Sequence, residues 1–221
     1  MKKATLALIP ARGGSKGIKN KNIVEIDTLP MVAYAILAAK AVSGIHEVYV
    51  SSDNKRILQK AETYGAVPLR RPSELAQDRS STESVVAHFL NNVSCADVVL
   101  IQPTSPMLKA EDLEAGLAKY REGEYDSLFS AVKTNDTLIW DEDSVYPLNY
   151  DPRNRGRRQT RSRYILIENG AFFIFSRKCF TKNLCRLAGK IGYSEMPYWR
   201  SFQVDDMQDL NHIRTLMTVK G

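Results

Sequence analysis

Short, unbroken runs of apolar residues alternate along this chain with segments whose apolar residues recur at helical spacing. The runs at residues 6–9 and 98–101 lack the polar alternation of a half-exposed strand, which is typical of strands buried on both faces. Between such runs, Val32, Ala35 and Ile36 follow the helical period. This alternation predicts βαβ units, and therefore an α/β protein with a mostly parallel sheet and helices on both faces.

The same patterns predict the order of the elements. Strands are expected at residues 6–9, 46–51, 67–69, 98–101, 127–132, 171–175 and 202–204. Helices are expected at residues 31–42 and 55–64, after a cap at Thr82, through Leu113, Leu117 and Tyr120, and from Met207 onwards. Between residues 133 and 164 the alternation breaks, with a hairpin expected at 140–146 and six arginines between 153 and 163. We interpret residues 133–164 as an excursion from the core.

Composition excludes several classes of protein. With 221 residues, 43% of them hydrophobic, the chain can bury a core without disulfides, and residues 1–221 are expected to form one domain. No window approaches about 18 uncharged apolar residues, and the apolar stretch near the amino end is too short for a signal peptide. We therefore expect no membrane association. Cys95, Cys179 and Cys185 lack C-x-x-C spacing, which favours a reducing cytoplasm over a disulfide framework or a zinc site.

Residues 12–22 carry the most informative motif, Arg-Gly-Gly-Ser-Lys-Gly-Ile-Lys-Asn-Lys-Asn. The segment follows a predicted buried strand, and ligands of open α/β sheets bind beyond the carboxyl ends of the strands. Its glycines let the backbone approach an anion. Four cations accompany them, namely Arg12, Lys16, Lys19 and Lys21. No lysine follows Gly17 as a Walker A loop requires, and the glycine spacing does not fit a dinucleotide site. The segment predicts a triphosphate cradle, with a basic surface turn as the alternative.

Six motifs along the chain carry a resemblance to a known family. They lie at residues 8–22 (LIPARGGSKGIKNKN), 50–53 (VSSD), 70–76 (RRPSELA), 100–106 (LIQPTSP), 168–171 (ENGA) and 204–206 (VDD). In this order they resemble the acylneuraminate cytidylyltransferases, the CMP-sialic acid synthetases, over nearly the whole chain. The resemblance implies a Rossmann-like, three-layer α/β nucleotidyltransferase fold with a mostly parallel sheet, and a dimerisation arm at residues 133–164.

The resemblance also implies a reaction. CTP and a nine-carbon 2-keto sugar acid would give a CMP-sugar and pyrophosphate, as the anomeric hydroxyl attacks the α-phosphorus. Such chemistry depends on positioning and on neutralising phosphate charge. Arg12 and Lys16 are then expected at the β- and γ-phosphates, and Lys21 near the α-phosphate, as the catalytic residues. Nucleotide binding is implied for Gly13, Gly14, Ser15, Asn22, Arg71 and Thr82.

Sugar-acid and metal sites are implied further along the chain. Three residues match positions that face the sugar acid, namely Gln102, Thr104 and Asn169. Arg158 matches an arm residue that crosses a homodimer to the sugar-acid carboxylate of the other subunit, a group that arginine binds in bidentate fashion. Asp205 matches the family's ligand for Mg²⁺, the expected cofactor. Where the family often has a second carboxylate this chain has Gln203, and Asp206 is expected to cap the last helix.

Several alternatives stay open on the sequence alone. Prolines demand a turn around Gln102 and Thr104, and Arg71 could be an exposed arginine. The net charge of +6 suits phosphate-bearing partners of more than one kind. The chain could be a nucleotidyltransferase for another sugar or base, or a basic nucleic-acid-binding protein, although no recognised nucleic-acid motif accompanies the arginines. The sequence does not separate N-acetylneuraminate from legionaminate, pseudaminate or a related acid as the substrate.

Overall fold

A seven-stranded sheet forms the centre of the computed structural model, which describes residues 4–220. In chain order its strands are β1 (Thr5–Pro10), β2 (Glu47–Ser52), β3 (Val67–Arg70), β4 (Asp97–Ile101), β5 (Ser127–Thr134), β6 (Ile165–Ser176) and β7 (Ile191–Glu195). Their spatial order is β7-β5-β6-β4-β1-β2-β3. Strand β6 is antiparallel to both of its neighbours, and the other neighbouring strands pair in parallel. The predicted mostly parallel sheet is confirmed.

Helices cover both faces of this sheet. They are α1 (Met31–Lys40), α2 (Lys55–Thr63), α3 (Thr82–Asn92), α4 (Ala110–Glu122), α5 (Arg177–Asn183) and α6 (Met207–Lys220). Residues of α1, α2 and α4 pack in one apolar cluster, and residues of α3 and α5 pack in another. The result is the predicted three-layer arrangement. No helix within residues 4–220 is long and apolar enough to cross a membrane.

The two apolar clusters share the central strands. In β1, Leu6 and Leu8 belong to one cluster, while Ala7 and Ile9 belong to the other. Successive side chains of a strand point to opposite faces, so burial of both faces requires apolar residues at every position. This requirement explains the unbroken apolar runs in the sequence.

A third apolar cluster lies outside these two layers and joins the segments that carry the predicted site. It contains Ile18 of the glycine-rich loop, Ile26 of a short hairpin, Val204, and Leu210 and Ile213 of α6. Helix α6 thereby packs the glycine-rich loop and the segment before Asp205 into one unit. Burial of such side chains contributes roughly 1.5–3 kcal/mol each.

One predicted helix cap and one predicted strand are wrong. The cap of α3 is Ser81 rather than Thr82, because the Ser81 Oγ accepts a hydrogen bond from the Ser84 N–H at 3.1 Å. Residues 202–204 form no strand, and the last strand is β7. The sequence of β7, Ile-Gly-Tyr-Ser-Glu, has a weak apolar signal because it lies at the edge of the sheet.

The excursion at residues 133–164 contains the predicted hairpin, in which Trp140–Asp141 pairs with Tyr146–Pro147. The arginine-rich stretch that follows holds two short 3-10 turns. Arg161 Nη1 donates to the carbonyl of Asn135 at 3.1 Å, which ties this stretch back to the start of the excursion. One arginine of the cluster therefore has a structural contact.

A buried ion pair fixes the segment before Val204 against α4. Arg200 Nη2 lies 2.6 Å from Asp112 Oδ1, and Arg200 Nη1 pairs with Glu111. Asp112 also accepts the backbone N–H of Lys109 at 3.0 Å. Burial raises the pKa of Asp112 above its ordinary value, and the hydrogen bond from Lys109 and the charge of Arg200 offset this only in part.

We predict that Arg200→Ala lowers the free energy of unfolding by about 3 kcal/mol at neutral pH, because it leaves the Asp112 carboxylate buried without its cation. The loss should shrink as the pH falls below neutral, since the variant raises the Asp112 pKa further and a protonated carboxyl is cheaper to bury. Urea unfolding at several pH values measures this. Arg153→Ala, at an exposed arginine, is the matched control. An equal, pH-independent loss in both variants would contradict the prediction.

Candidate active site

A cavity of about 430 Å³ lies beyond the carboxyl ends of β1 and β4. The structure brings ten of the predicted site residues to its walls, namely Arg12, Ser15, Lys16, Lys21, Asn22, Arg71, Thr82, Gln102, Thr104 and Asp205. These residues come from five separate stretches of the chain. Their convergence at the ligand-binding edge of an α/β sheet marks the cavity as the candidate active site.

The glycine-rich loop is fixed by hydrogen bonds to its neighbours. The Gly13 N–H donates to Asp53 Oδ1 at 2.9 Å, and the buried Asn22 donates from Nδ2 to the Arg12 carbonyl at 2.8 Å. Gly17 packs directly against the main chain of Asp205, where an added Cβ would overlap the carbonyl oxygen. At Gly14 an added Cβ would meet no heavy atom within 4 Å. Within this loop the packing therefore requires a glycine at position 17, whereas position 14 faces open space.

Each of the three predicted catalytic cations is paired with a carboxylate. Arg12 Nη1 lies 2.8 Å from one oxygen of Asp78, and Lys16 Nζ lies 2.7 Å from the other. These two hydrogen bonds, from Lys16 first and then Arg12, hold the pKa of Asp78 below its ordinary value. Lys21 Nζ donates to Asp205 Oδ1 at 2.9 Å and to the Val204 carbonyl at 3.1 Å. Three cations thus face two carboxylates, which leaves a net positive charge where a polyanion would bind.

Arg71 differs from the other cations because it is buried. Its exposed fraction is only 4%, so the alternative of an exposed arginine is wrong. Its Nε and Nη2 have no hydrogen-bond partner in the described structure. Burial lowers the pKa of this guanidinium, while the nearby charge of Asp53 acts in the opposite direction. An unpaired buried donor is costly, roughly 1–3 kcal/mol, which favours a ligand that accepts hydrogen bonds at this wall.

The polar loop after β4 forms a further wall. The Gln102 N–H donates to the Ala171 carbonyl of β6 at 2.9 Å, and the Thr104 carbonyl accepts the Val204 N–H at 2.8 Å. The loop is a turn, as its prolines demand, and it also lines the cavity. The predicted turn is therefore confirmed, and contact of Gln102 and Thr104 with a sugar acid stays a prediction.

Four predicted residues do not line the cavity. Gly13 and Gly14 belong to the glycine-rich loop but are not among the residues that line the cavity. Asn169 is engaged in β6, where its Oδ1 accepts a hydrogen bond from Ser130 Oγ at 2.6 Å beside an irregularity in the strand register. Arg158 lies in the excursion, in a separate depression of about 520 Å³, with Nε 2.7 Å from Asp136 Oδ1. Within one chain, Arg158 does not contribute to the cavity.

The donors near Asp205 suit a metal ion only in a limited way. Among residues 4–220, no group of three or more His, Cys, Asp or Glu side chains could hold a metal. Gln203 donates from Nε2 to the Asn169 carbonyl, and Asp206 caps α6 as predicted, with Oδ1 2.7 Å from the Gln208 nitrogen. Of the two carboxylates at the cavity, Asp78 is bound to Arg12 and Lys16, and Asp205 is bound to Lys21 through Oδ1. Since Mg²⁺ commonly takes one or two carboxylates and completes its shell with substrate phosphates, this donor set fits a metal that enters with a polyphosphate.

Sequence reasoning missed five polar residues. Gln77, Asp78, Ser80 and Ser81 line the cavity, and Asp53 accepts the Gly13 N–H. Asp53 lies in the VSSD motif, whose position after a predicted strand was a usable signal. Asp78 gave no such signal, because it lies in a polar turn and its contacts with Arg12 and Lys16 span more than sixty residues of sequence.

The fold and this cavity are those expected of a nucleotidyltransferase, since a cationic glycine-rich loop and a buried arginine face one cavity at the carboxyl edge of a mostly parallel sheet. The family model described as cytidylyltransferase matches residues 6–163. The chain belongs to the cytidylyltransferase family.

Relatives of known name support this assignment. The chain is 36% identical over 211 residues to an N-acylneuraminate cytidylyltransferase of Oncorhynchus mykiss, covering 92% of this chain and 48% of that protein. It is 31% identical over 182 residues to the Escherichia coli N-acylneuraminate cytidylyltransferase, covering 80% of this chain and 43% of that protein. The chain spans about half the length of the curated relatives it matches.

Solved structures show the same fold. A CMP:2-keto-3-deoxy-manno-octonic acid synthetase complexed with CTP superposes with a TM-score of 0.74 at 19% identity, covering 99% of this chain and 100% of that chain. A 4-diphosphocytidyl-2C-methyl-D-erythritol synthase from Anaerococcus prevotii superposes with a TM-score of 0.70 at 15% identity, covering 98% and 99%. The predicted nucleotidyltransferase fold is confirmed, and the dimerisation arm stays a prediction.

We predict that Gly17→Ala lowers the free energy of unfolding by about 1–3 kcal/mol, because the new methyl group would overlap the Asp205 carbonyl oxygen and force the loop away. Gly14→Ala, in the same loop but facing open space, should change stability by less than about 0.5 kcal/mol. Thermal and urea unfolding of the two variants make the comparison. Equal stability of the two would show that the loop does not pack against Asp205.

Proposed function

We propose that this chain transfers CMP from CTP to the anomeric hydroxyl of a nine-carbon 2-keto sugar acid of the sialic acid type and releases pyrophosphate. The observation that carries the proposal is the single cavity in which Arg12, Lys16, Lys21 and the buried Arg71 converge. The names of the relatives, N-acylneuraminate cytidylyltransferases, support the choice of nucleotide and acid. The CTP bound in the solved synthetase supports CTP as the nucleotide of this fold.

The triphosphate would bind along the glycine-rich loop. Arg12 and Lys16 would hold the β- and γ-phosphates with help from Ser15, and so stabilise the pyrophosphate that leaves. Lys21, which is mostly buried and already fixed at the Val204 carbonyl, would lie near the α-phosphate, where charge develops in the transition state. A cation held in place by the fold needs little reorganisation during the reaction.

The cytidine would lie toward Arg71, Asn22 and Thr82. The unpartnered donors of Arg71 suit the carbonyl oxygen and ring nitrogen that cytosine offers as acceptors. Because the site leaves buried donors unpaired in the absence of an acceptor, a base with a different edge should bind less well. This is the basis on which we propose selectivity for CTP.

The sugar acid would lie toward Gln102 and Thr104, at the wall formed by the loop after β4. Mg²⁺ is the proposed cofactor, with Asp205 as its protein ligand, and when bound it would neutralise phosphate charge. Asn169 stays a proposed sugar contact. Its Oδ1 accepts hydrogen bonds from Ser130 Oγ and the Ala171 N–H, and its backbone carbonyl accepts one from Gln203. These bonds would fix the segment around Gly170 beside the loop after β4.

A homodimer is part of the proposal. The excursion at residues 133–164 and the adjoining part of β6 expose several large apolar side chains, namely Ile139, Trp140, Val145, Tyr146, Leu148, Tyr164, Leu166 and Ile167. Such a concentration is unusual on a monomer's surface and marks an interaction site. In such a dimer Arg158, which lies outside the cavity of its own chain, would reach the sugar-acid carboxylate bound by the second copy. The protein would act in the cytoplasm, where free thiols such as its three cysteines persist.

Pyrophosphate release tests the proposal directly. The protein is mixed with Mg²⁺, each of the four nucleoside triphosphates, and a panel of 2-keto acids that includes N-acetylneuraminate, legionaminate, pseudaminate and an eight-carbon acid. Release with CTP and a nine-carbon acid supports it, and the panel identifies the acid. Preference for another nucleotide or for the eight-carbon acid would identify a different nucleotidyltransferase.

We predict that Lys21→Met lowers kcat for this release by about 10²–10³, because it removes a fixed cation from the developing charge. Lys19→Met, at an exposed lysine of the same loop that does not line the cavity, is the matched control and should retain activity. An equal loss of kcat in both variants would contradict the assignment of Lys21 to the α-phosphate.

We predict that Tyr146→Asp converts a dimer into a monomer, because it introduces a charge into the apolar surface of the excursion. Leu184→Asp is the control, since Leu184 is equally exposed, at 68% against 67%, but lies far along the chain from the excursion. Light scattering coupled to gel filtration measures the mass. A monomeric protein before mutation, or a dimer that survives Tyr146→Asp, would contradict the dimer proposal.

A further inference from the structure

Asp78 binds both cations that are expected to hold the tail phosphates. One of its carboxylate oxygens lies 2.8 Å from Arg12 Nη1, and the other lies 2.7 Å from Lys16 Nζ. The residue lines the same cavity but belongs to a different part of the chain, the turn at residues 77–81 before α3. Its two oxygens therefore engage the donors that two phosphate oxygens would need.

The turn that carries Asp78 is built as a separate small unit. Its contacts are internal or local, with Gln77 N donating to Ser80 Oγ at 3.1 Å and Ser80 Oγ donating to the Glu74 carbonyl at 2.9 Å. None of residues 77–81 is buried. A segment with few buried contacts moves at a small free-energy cost. The ion pairs to Arg12 and Lys16 are then the main link between this turn and the glycine-rich loop.

A carboxylate and a polyphosphate compete for these two cations. The Asp78 side chain is ionised at neutral pH, since its pKa lies below the ordinary value, and like charges at this separation repel. The carboxylate therefore opposes entry of the nucleotide tail. Any free energy gained from its two ion pairs is subtracted from the free energy of phosphate binding.

We propose that Asp78 is an intramolecular competitor for the tail phosphates: it orients Arg12 and Lys16, weakens the binding of CTP and pyrophosphate, and speeds pyrophosphate release. The inference rests on the proposed function, because it assumes that the tail phosphates bind Arg12 and Lys16. It adds an affinity-determining residue in the turn at residues 77–81. Asp78 does not affect the binding of the cytidine or of the α-phosphate, because these groups contact other residues.

Calorimetric titration of Asp78→Asn tests the inference, with inorganic pyrophosphate, CTP and CMP as the probes and without added metal. The variant should bind pyrophosphate and CTP about three- to tenfold more tightly than the unmodified protein, since the ion pairs of Asp78 with Arg12 and Lys16 no longer compete with phosphate. CMP, which lacks the tail phosphates, should bind with unchanged affinity. Stopped-flow measurements should show slower dissociation of pyrophosphate from the variant.

Asp143→Asn is the matched control, because it removes one exposed carboxylate from the hairpin of the excursion and changes the net charge equally. It should leave all three affinities unchanged, and thermal unfolding should show that both variants are folded. Equal or weaker binding of pyrophosphate to Asp78→Asn would overturn the inference. Weaker binding seen only with Mg²⁺ added would identify Asp78 as a metal ligand, which also overturns it.

Failure of the proposed function has a different signature. In that case neither the unmodified protein nor Asp78→Asn would bind CTP or pyrophosphate, and Lys16→Met would have no effect on binding. Tight CTP binding that Lys16→Met abolishes, together with no gain from Asp78→Asn, would leave the proposed function standing and reject the competitor role alone.

Discussion

Electrostatic repulsion among the cations of one cavity determines how this site is organised. Arg12, Lys16, Lys21 and Arg71 converge from two distant parts of the chain, and cations at such close range destabilise one another unless anions face them. Asp78 and Asp205 provide those anions. The same excess of positive charge is what a nucleoside triphosphate would neutralise, so the stability of the folded site and its affinity for polyphosphate have a common origin.

The fold brings these charges together through packing at the edge of the sheet. The glycine-rich loop follows β1, and the loop after Ile101 follows β4. Both loops lie at the same edge of the sheet, because these neighbouring strands are parallel. Gly17 permits the close approach of the Asp205 main chain, and the apolar cluster under Ile18 and Val204 holds the two segments together. The buried pair of Arg200 with Asp112 anchors the same segment to α4.

Patterns local in sequence were sufficient for most of the fold. Both faces of β1 and β4 are buried, so the apolar runs in their sequences predicted them. The edge strand β7 has few apolar residues and was not predicted. Motifs also predicted the walls of the cavity. Contacts between distant segments were not predicted. Neither the burial of Arg71 nor the pairing of Asp78 with Arg12 and Lys16 follows from the spacing of residues along the sequence. The position of Arg158 outside its own cavity likewise depends on tertiary structure.

A crystal structure with CTP bound tests the central claim most directly. We expect the tail phosphates to contact Arg12 and Lys16, the α-phosphate to lie near Lys21, and the base to accept hydrogen bonds from the unpartnered donors of Arg71. Density for the nucleotide at another surface, with the glycine-rich loop still bound to Asp78 and Arg71 still without a partner, would contradict the account.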